Sequence, residues 1–327
     1  MNLSNFEGPF FIVGMPRSGT KLLRDLLNQN PKLGIPIAES NFIPSMIERY
    51  GSPAPFENKE IFREFYAGYI RTSFFWWMKK FGYHMSEEYL EKEADLKSWS
   101  SIFETIIKYH VPEGRIDGFI WGDKTPSYLW HMPVIKDIYP QAKFLHIIRD
   151  PRDYSLSRKK AWGTHLYSSA EMWRDGIEVA RSDGKKLGED YKEIYYEDLL
   201  DNPEDVLNGI CTFLNCAFIP DMMELGRACE NLGDAKGLKK ILQNNQKKYV
   251  KQLSKKQVKR IEEIVFPLMI HTCYKIEYAK KYKPISKTTL KLLGRINKYK
   301  RILFDIRDKG LSEGIRYHFG MKKLRHE

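Results

Sequence analysis

The chain is poor in the features that assign a protein by inspection. In 327 residues no run approaches the eighteen or so consecutive apolar residues a membrane-spanning helix needs. Residues 1–10 carry no basic segment, and the apolar run Phe10-Phe11-Ile12-Val13 is too short for a secretory signal. A cytoplasmic chain, peripheral at most to the inner face of a membrane, is therefore expected. There are only four cysteines, Cys211, Cys216, Cys229 and Cys273, with no CxxC spacing and no histidines at zinc-finger intervals. Reduced thiols follow, rather than a disulfide framework or a structural zinc. Internal repeats and low-complexity stretches are absent, and 42% hydrophobic against 29% charged residues excludes wholesale disorder. The length suffices for one large α/β domain or two small ones. Acidic residues are scarce in one region only. Residues 236–327 hold 26 Lys and Arg against 7 Asp and Glu, a net of +19, while residues 1–235 hold 28 against 35. Such a split points to an anionic ligand, polymer or surface near the C-terminal third, or to a solvated Lys-rich face.

What is present is an alternation of strands and helices. Phe10-Phe11-Ile12-Val13 reads as a short buried strand bounded by Gly14 and Pro16. After the loop, Leu22, Leu23, Leu26 and Leu27 fall at helical spacing, and Asn30-Pro31 ends the helix. Phe144-Leu145-His146-Ile147-Ile148 is a second strand; Phe119-Ile120-Trp121 and Glu193-Ile194-Tyr195-Tyr196 are shorter ones. Helical patterns run over 200–215 and 254–270. This order predicts a parallel sheet covered on both faces, with ligands outside the carboxyl ends of its strands. Two segments depart from it. Residues 45–117 look helical, with ten aromatics between positions 62 and 83. From position 280 no strand is expected, and Leu290, Leu293, Ile296, Tyr299, Leu303 and Ile306 recur every three or four residues.

Gly14-Met15-Pro16-Arg17-Ser18-Gly19-Thr20 joins the first strand to its helix, an arrangement that aims backbone N–H groups and a helix N-terminus at an anion. Its two glycines have the spacing of a nucleotide-phosphate loop. Yet Thr20 stands where the lysine of that loop belongs, and Lys21 where the Mg²⁺-binding hydroxyl belongs. The cation has moved inside the loop, as Arg17. Such a site suits an anionic group held by amides and a guanidinium, and disfavours metal-dependent phosphoryl transfer.

Four segments together resemble the sulfotransferases that use 3′-phosphoadenosine 5′-phosphosulfate (PAPS). Pro16-Arg17-Ser18-Gly19-Thr20 is similar to their 5′-phosphosulfate loop. Arg149-Asp150-Pro151-Arg152-Asp153-Tyr154-Ser155-Leu156-Ser157 is similar to their 3′-phosphate motif. Gly122-Asp123-Lys124-Thr125-Pro126 resembles their lysine-bearing strand end, and Tyr196-Glu197-Asp198-Leu199-Leu200 their Tyr-Glu-x-Leu segment. The likeness runs in order from about residue 9 to 270 and is closest to the bacterial and protein-tyrosine branch. It implies an α/β, three-layer, P-loop NTPase-like parallel sheet flanked by helices. The expected layout is a domain over 1–279, with 45–117 as a helical acceptor-side insertion, and a basic helical extension over 280–327. It implies PAPS as donor, 3′,5′-adenosine bisphosphate (PAP) as product, and no metal.

The same resemblance distributes the residues. In-line displacement at sulfur needs a base on one side and cations on the other. Arg17 and Lys124 are the candidates for charge stabilisation. Backbone N–H groups of Ser18, Gly19, Thr20 and Lys21 are expected at the 5′-phosphate, Arg149 and Ser157 at the 3′-phosphate, and Tyr196 and Lys248 along the adenosine. The family usually has Lys-Trp where this chain has Lys248-Tyr249. Glu39 is the candidate base, in a dry pocket with its pKa raised, and His131 is the alternative.

The expected acceptor is a hydroxyl on a carbohydrate: a polysaccharide, oligosaccharide or glycolipid. Two features suggest it. The first loop lies thirteen residues in, with no anchor or stem before it, and the basic C-terminal third suits an anionic glycan or an anionic membrane surface. A protein tyrosine or a small molecule is the alternative acceptor. Trp76, Trp77 and Tyr83 either stack on sugar rings or pack in the core. The amphipathic stripe of the tail either lies on a bilayer or packs on the body. No nucleic-acid motif accompanies the basic residues. A Mg²⁺-dependent kinase on the same sheet and a catalytically silent nucleotide-binding scaffold are the competing readings.

Overall fold

A computed structural model of the chain describes residues 6–228 and 236–311. Cys229 and the last sixteen residues of the basic tail lie outside them. Five parallel strands form one sheet in the order β2-β3-β1-β4-β5: β1 (Phe10–Gly14), β2 (Leu33–Gly34), β3 (Ile120–Lys124), β4 (Lys143–Ile148) and β5 (Tyr191–Tyr195). The register pairs Phe10 with Gly122 on one side of β1 and with Lys143 on the other. Because the chain moves to one side of β1 and then to the other, the crevice of the sheet opens at the carboxyl ends of β1 and β4.

The side-chain period of two explains the two-faced burial. In β1, Phe11 and Val13 enter the core beneath the helices Leu166–Leu187 and Lys255–Met269, while Phe10 and Ile12 enter the core beneath Thr20–Leu27 and Pro203–Phe213. Phe11 meets Trp121, Tyr128, Tyr139 and Phe144 with ring centroids 5.6–6.4 Å apart. Fully burying an aromatic side chain stabilises by roughly 1.5–3 kcal/mol, so this cluster anchors the sheet.

The segment between β2 and β3 is five helices, Ile43–Tyr50, Lys59–Tyr69, Ser73–Lys80, Glu87–Glu93 and Trp99–Tyr109. Its aromatics pack mainly inward: Phe62, Phe65, Tyr69, Phe74 and Phe75 are buried, and Asn58, Thr72, Ser86 and Ser98 cap helices with their side chains. The strand β2, only two residues long, has no sequence pattern to reveal it.

The tail forms one helix, Lys287–Lys309, capped by Ser286. Its stripe is not one buried face. Leu293 is 8% exposed, but Tyr299 and Leu303 are 68% and 63% exposed, while Ile302, off the stripe, is half-buried. Leu290 packs against the core and Leu293 is buried, and polar bonds dock the helix beside them. Asn297 accepts from the His165 amide at 2.8 Å and donates to Ser168 Oγ at 2.9 Å. Among the described residues no helix is long and apolar enough to cross a membrane, and no cluster of three His, Cys, Asp or Glu side chains is placed to hold a metal ion.

Candidate active site

The loop after β1 is shaped by its backbone. Ser18 N–H donates to Met15 O at 3.0 Å, closing a turn in which Arg17 adopts φ 83° and Gly19 φ 101°. A non-glycine residue at positive φ is held there by its surroundings. Gly19 is required twice: its φ favours glycine, and a Cβ there would lie 2.4 Å from the Tyr196 ring. The helix Thr20–Leu27 therefore starts with no capping side chain and no acidic residue in its first turn. Its first N–H groups and the positive end of its dipole point into the crevice. Ser18 Oγ is buried there with no hydrogen-bond partner.

Arg149, at the end of β4, ties the site together. Its Nη1 donates to Arg17 O at 3.1 Å and its Nη2 to Asn245 O at 3.0 Å. The guanidinium lies 4.5 Å from the centroid of the Tyr196 ring, and Asn245 donates to Tyr196 OH at 2.8 Å. Arg149 Nε is buried without a partner. Two orphaned donors beside an uncapped helix start and a glycine cradle fit an anionic nucleotide. Ser157 sits one helix further on, where its Oγ accepts from Arg17 Nε at 3.4 Å. The two motifs thus meet. Lys248 stands at the N-cap position of the short helix Tyr249–Gln252 without a side-chain cap bond, and Tyr249 is a core residue, its N–H on Asp153 and its OH on Glu277.

Behind this loop the second arginine of the motif acts as a clamp. Arg152 pairs with Asp150 at 2.6 Å and with the fully buried Glu262 at 2.8 Å, so it joins β4 to the helix Lys255–Met269. Glu197 accepts from the Asp150 amide at 3.1 Å and from Tyr274 OH at 2.7 Å. Burial pushes its carboxyl up to about 7, against those hydrogen bonds and the Arg149 charge; the Asp150 charge adds to the rise.

Lys124 ends β3 and is 1% exposed; its Nζ donates to Glu39 Oε1 at 2.5 Å. The raised pKa expected for Glu39 is corrected here. Burial alone would raise it, but the Lys124 ammonium and its hydrogen bond, with Lys21 and Arg24 further off, bring the carboxyl below its ordinary value. Burial lowers Lys124 in turn, opposed by Glu39. Beneath the pair, Asp123 accepts from Ser40 Oγ and from Thr125 Oγ1, and Ser40 Oγ bonds Tyr128 OH at 2.6 Å. Burial lifts Asp123 to about 6.

Glu39 faces a cavity of about 620 Å³. Arg17, Gly19, Thr20 and Lys21 of the loop line it, together with the hydroxyl residues Ser45, Thr72, Ser73, Ser127 and Thr164 and with Arg158, Trp162 and Arg301. Of the site residues named from the sequence, Arg17, Gly19, Thr20, Lys21 and Glu39 line it, and Ser18, Lys124, Arg149, Ser157, Tyr196 and Lys248 do not. Trp76, Trp77, Tyr83 and His131 do not line it: Trp76 and Trp77 pack edge to face at 4.7 Å, and Tyr83 OH donates to Val111 O. Sequence reasoning missed Arg158, Trp162 and Arg301. The first two stand one helical turn apart directly after the Arg149–Ser157 motif, which is a usable signal; for Arg301 the signal is only the basic charge of the C-terminal third.

A model of the sulfotransferase family matches residues 9–220, nearly two thirds of the chain. The chain belongs to the sulfotransferase family. It is 26% identical over 228 residues to a putative protein-tyrosine sulfotransferase of Caenorhabditis briggsae, covering 68% of this chain and 70% of that one. It is 27% identical over 223 residues to the protein-tyrosine sulfotransferase of Drosophila melanogaster, covering 64% of this chain but only 39% of that one. Among solved structures, the sulfotransferase domain of the Synechococcus PCC 7002 olefin synthase superposes with a TM-score of 0.50 at 20% identity, covering 77% of this sulfotransferase and 92% of that domain. That likeness concerns the fold.

Proposed function

We propose that this sulfotransferase moves the sulfuryl group of PAPS to a carbohydrate hydroxyl by in-line displacement, without a metal. The observation that carries the reading is the junction of Arg149 with the Arg17 carbonyl. It sets an orphaned guanidinium nitrogen and an orphaned Ser18 hydroxyl around one uncapped helix start. In this reading the amides of Ser18 to Lys21 hold the 5′-phosphate, and Arg149 and Ser157 hold the 3′-phosphate. Tyr196 and Lys248 flank the adenosine. The acceptor oxygen attacks sulfur, the bond from sulfur to the bridging phosphate oxygen breaks, and the acceptor proton passes to Glu39. Lys124 and Arg17 offset the charge growing on the leaving oxygen. Glu39 is ionised and ready at neutral pH, because its lowered pKa keeps it deprotonated.

The cavity wall supports a carbohydrate. Its short hydroxyl side chains (Ser45, Thr72, Ser73, Ser127 and Thr164) suit an acceptor with many hydroxyls, and Trp162 offers an indole. A tyrosine side chain is the second reading, favoured by the protein-tyrosine sulfotransferases among the relatives.

Thermal unfolding with PAP, and with ATP plus Mg²⁺, tests the donor. At a hundred times its dissociation constant PAP adds about 2.7 kcal/mol. Arg149→Ala is expected to erase the preference of the protein for PAP over adenosine 5′-phosphate, a loss of about a hundredfold. Glu39→Gln is expected to keep PAP binding and to lower turnover by about a hundredfold or more. Stabilisation by ATP with Mg²⁺ alone overturns the donor assignment, and full turnover in Glu39→Gln moves the base elsewhere. PAP binding without turnover of glycans or tyrosine peptides leaves a silent binder.

A further inference from the structure

The helix Lys287–Lys309 has two faces with different surroundings. Its inner face is occupied: Leu290 packs against the core, Leu293 is buried, and Asn297 bonds the His165 amide and Ser168 Oγ. At about 100° per residue, Leu292, Ile296, Tyr299, Leu303 and Ile306 share an arc of about 80° on the side away from Leu290, Asn297 and Arg301. Leu292, Tyr299 and Leu303 are 57%, 68% and 63% exposed, and Ile296 and Ile306 are half-buried.

Basic residues edge this arc on both sides. Lys291, Arg295 and Lys298 line one border and Lys300 and Arg307 the other, and all five are exposed. Among the described residues none of the five forms an ion pair. The helix as a whole holds eight basic residues against two acidic ones. An apolar stripe left in water marks a contact surface, and cations ranged along it repel one another. One occupant relieves both. The acyl boundary of a bilayer takes apolar side chains, and an aromatic ring settles at the headgroup level. The aliphatic stems of Lys and Arg then carry their charges up to anionic headgroups. A soluble polyanion would meet the cations and leave the stripe in water. A second copy docked helix to helix would set basic border against basic border.

We propose that the outer face of the C-terminal helix is a membrane-binding surface that lies flat on an anionic lipid bilayer. Leu292, Ile296, Tyr299, Leu303 and Ile306 enter the interface, and the two basic borders contact the headgroups. Arg301, on the opposite side of the same helix, lines the cavity, so the bound bilayer lies about one helix diameter from the cavity wall. The surface does not depend on which donor or acceptor the cavity takes.

The test uses the full chain and vesicles of phosphatidylcholine, alone or with about 30 mol% phosphatidylserine. Cosedimentation is expected to find the phosphatidylserine vesicles bound about tenfold or more tightly than the neutral ones, with the difference shrinking as salt rises. Tyr299→Ser with Leu303→Ser should weaken that binding about tenfold, and Arg295→Glu with Lys298→Glu should bring it to the level of neutral vesicles. All four side chains are exposed, so the melting temperatures should match wild type. The wild-type comparison of the two vesicles stands on its own should a variant unfold. No preference for phosphatidylserine overturns the surface. Binding that falls with the two charges but survives the loss of Tyr299 and Leu303 overturns it as well, because it marks a patch for soluble polyanions. Sedimentation velocity of the free chain is the third arm: a dimer that Tyr299→Ser with Leu303→Ser dissolves assigns the face to a second copy and overturns the membrane.

Discussion

The loop side of the cavity and its hydroxyl-lined side are built in different ways. The side proposed for the donor, of which only the loop lines the cavity, comes from three short segments, each directly after a strand: the loop after β1, Arg149 after β4 and Tyr196 after β5. Its groups are backbone amides and an arginine whose positions follow from the strand ends. The side proposed for the acceptor is gathered from far apart: Thr72 and Ser73 from the helical insertion, Arg158 and Trp162 from the helix after β4, and Arg301 from the tail. No strand end fixes these. An anion cradle can therefore be specified by a handful of adjacent residues, whereas an acceptor wall is specified only by how whole helices dock.

The sharpest way to break the donor side is Gly19→Ala. The new methyl would lie 2.4 Å from the Tyr196 ring at a φ of 101°, which disfavours any residue with a Cβ. A cost on the order of 2–3 kcal/mol at the loop implies PAP affinity about a hundredfold weaker, with secondary structure by circular dichroism unchanged. Adding Tyr196→Ala should recover only part of it, because the backbone conformation remains unfavourable. Normal PAP binding in Gly19→Ala would show that the loop does not work through its backbone.

The two sides also differ in the sign of their carboxyl chemistry. Glu197, behind the donor side, has a folded pKa of about 7 against an ordinary 4.5. The folded state therefore binds the proton more tightly than the unfolded state. The stability Glu197 contributes is present below about 4.5 and lost as the pH rises through about 7. Glu39 is the opposite case. Its folded pKa lies below the ordinary value, so its contribution is present above the usual carboxylate range and lost as the pH falls. Urea unfolding at pH 5 and pH 8 separates them. Glu197→Gln should remove about 1–2 kcal/mol of the decline between those two values, a figure reduced for the contact Glu197 keeps with solvent. Glu39→Gln should leave that decline in place. Equal slopes for wild type and Glu197→Gln would refute the assignment.

How much of this was legible depends on the distance over which each feature is encoded. Four of the five strands follow from the short runs starting at Phe10, Phe119, Phe144 and Glu193, although β3 continues through Gly122 to Lys124 and β5 starts two residues earlier, at Tyr191. The loop residues Arg17 to Lys21, with Arg149 and Ser157, follow from motifs at strand ends, and the structure brings Arg17 onto Ser157. The pairing of Glu39 with Lys124 spans 85 positions, so the direction of its pKa shift was out of reach: burial alone predicts a rise, and the partner reverses it. The ten aromatics of the insertion were ambiguous because helical spacing serves a core and a binding face equally. The position of Arg301 was invisible because it depends on Asn297, which is polar and outside any hydrophobic pattern.

The smallest expected effect is the one most specific to the acceptor side. Asn297→Ala removes both bonds that seat the tail helix on residues 165 and 168 and leaves every group of the loop untouched. Two hydrogen bonds of this partly buried kind are worth about 1 kcal/mol net together, so the chain should stay folded with a slightly lower melting temperature. With the helix loosened, Arg301 is no longer held over Trp162. The KM for the acceptor should rise about three- to fivefold, while kcat and the affinity for PAP stay near wild type. Loss of PAP affinity in this variant would mean that the tail braces the donor side, and the separation of the two sides would not hold. An unchanged KM would mean that Leu293 and Ile302 seat the helix without help, and that the docking is apolar after all.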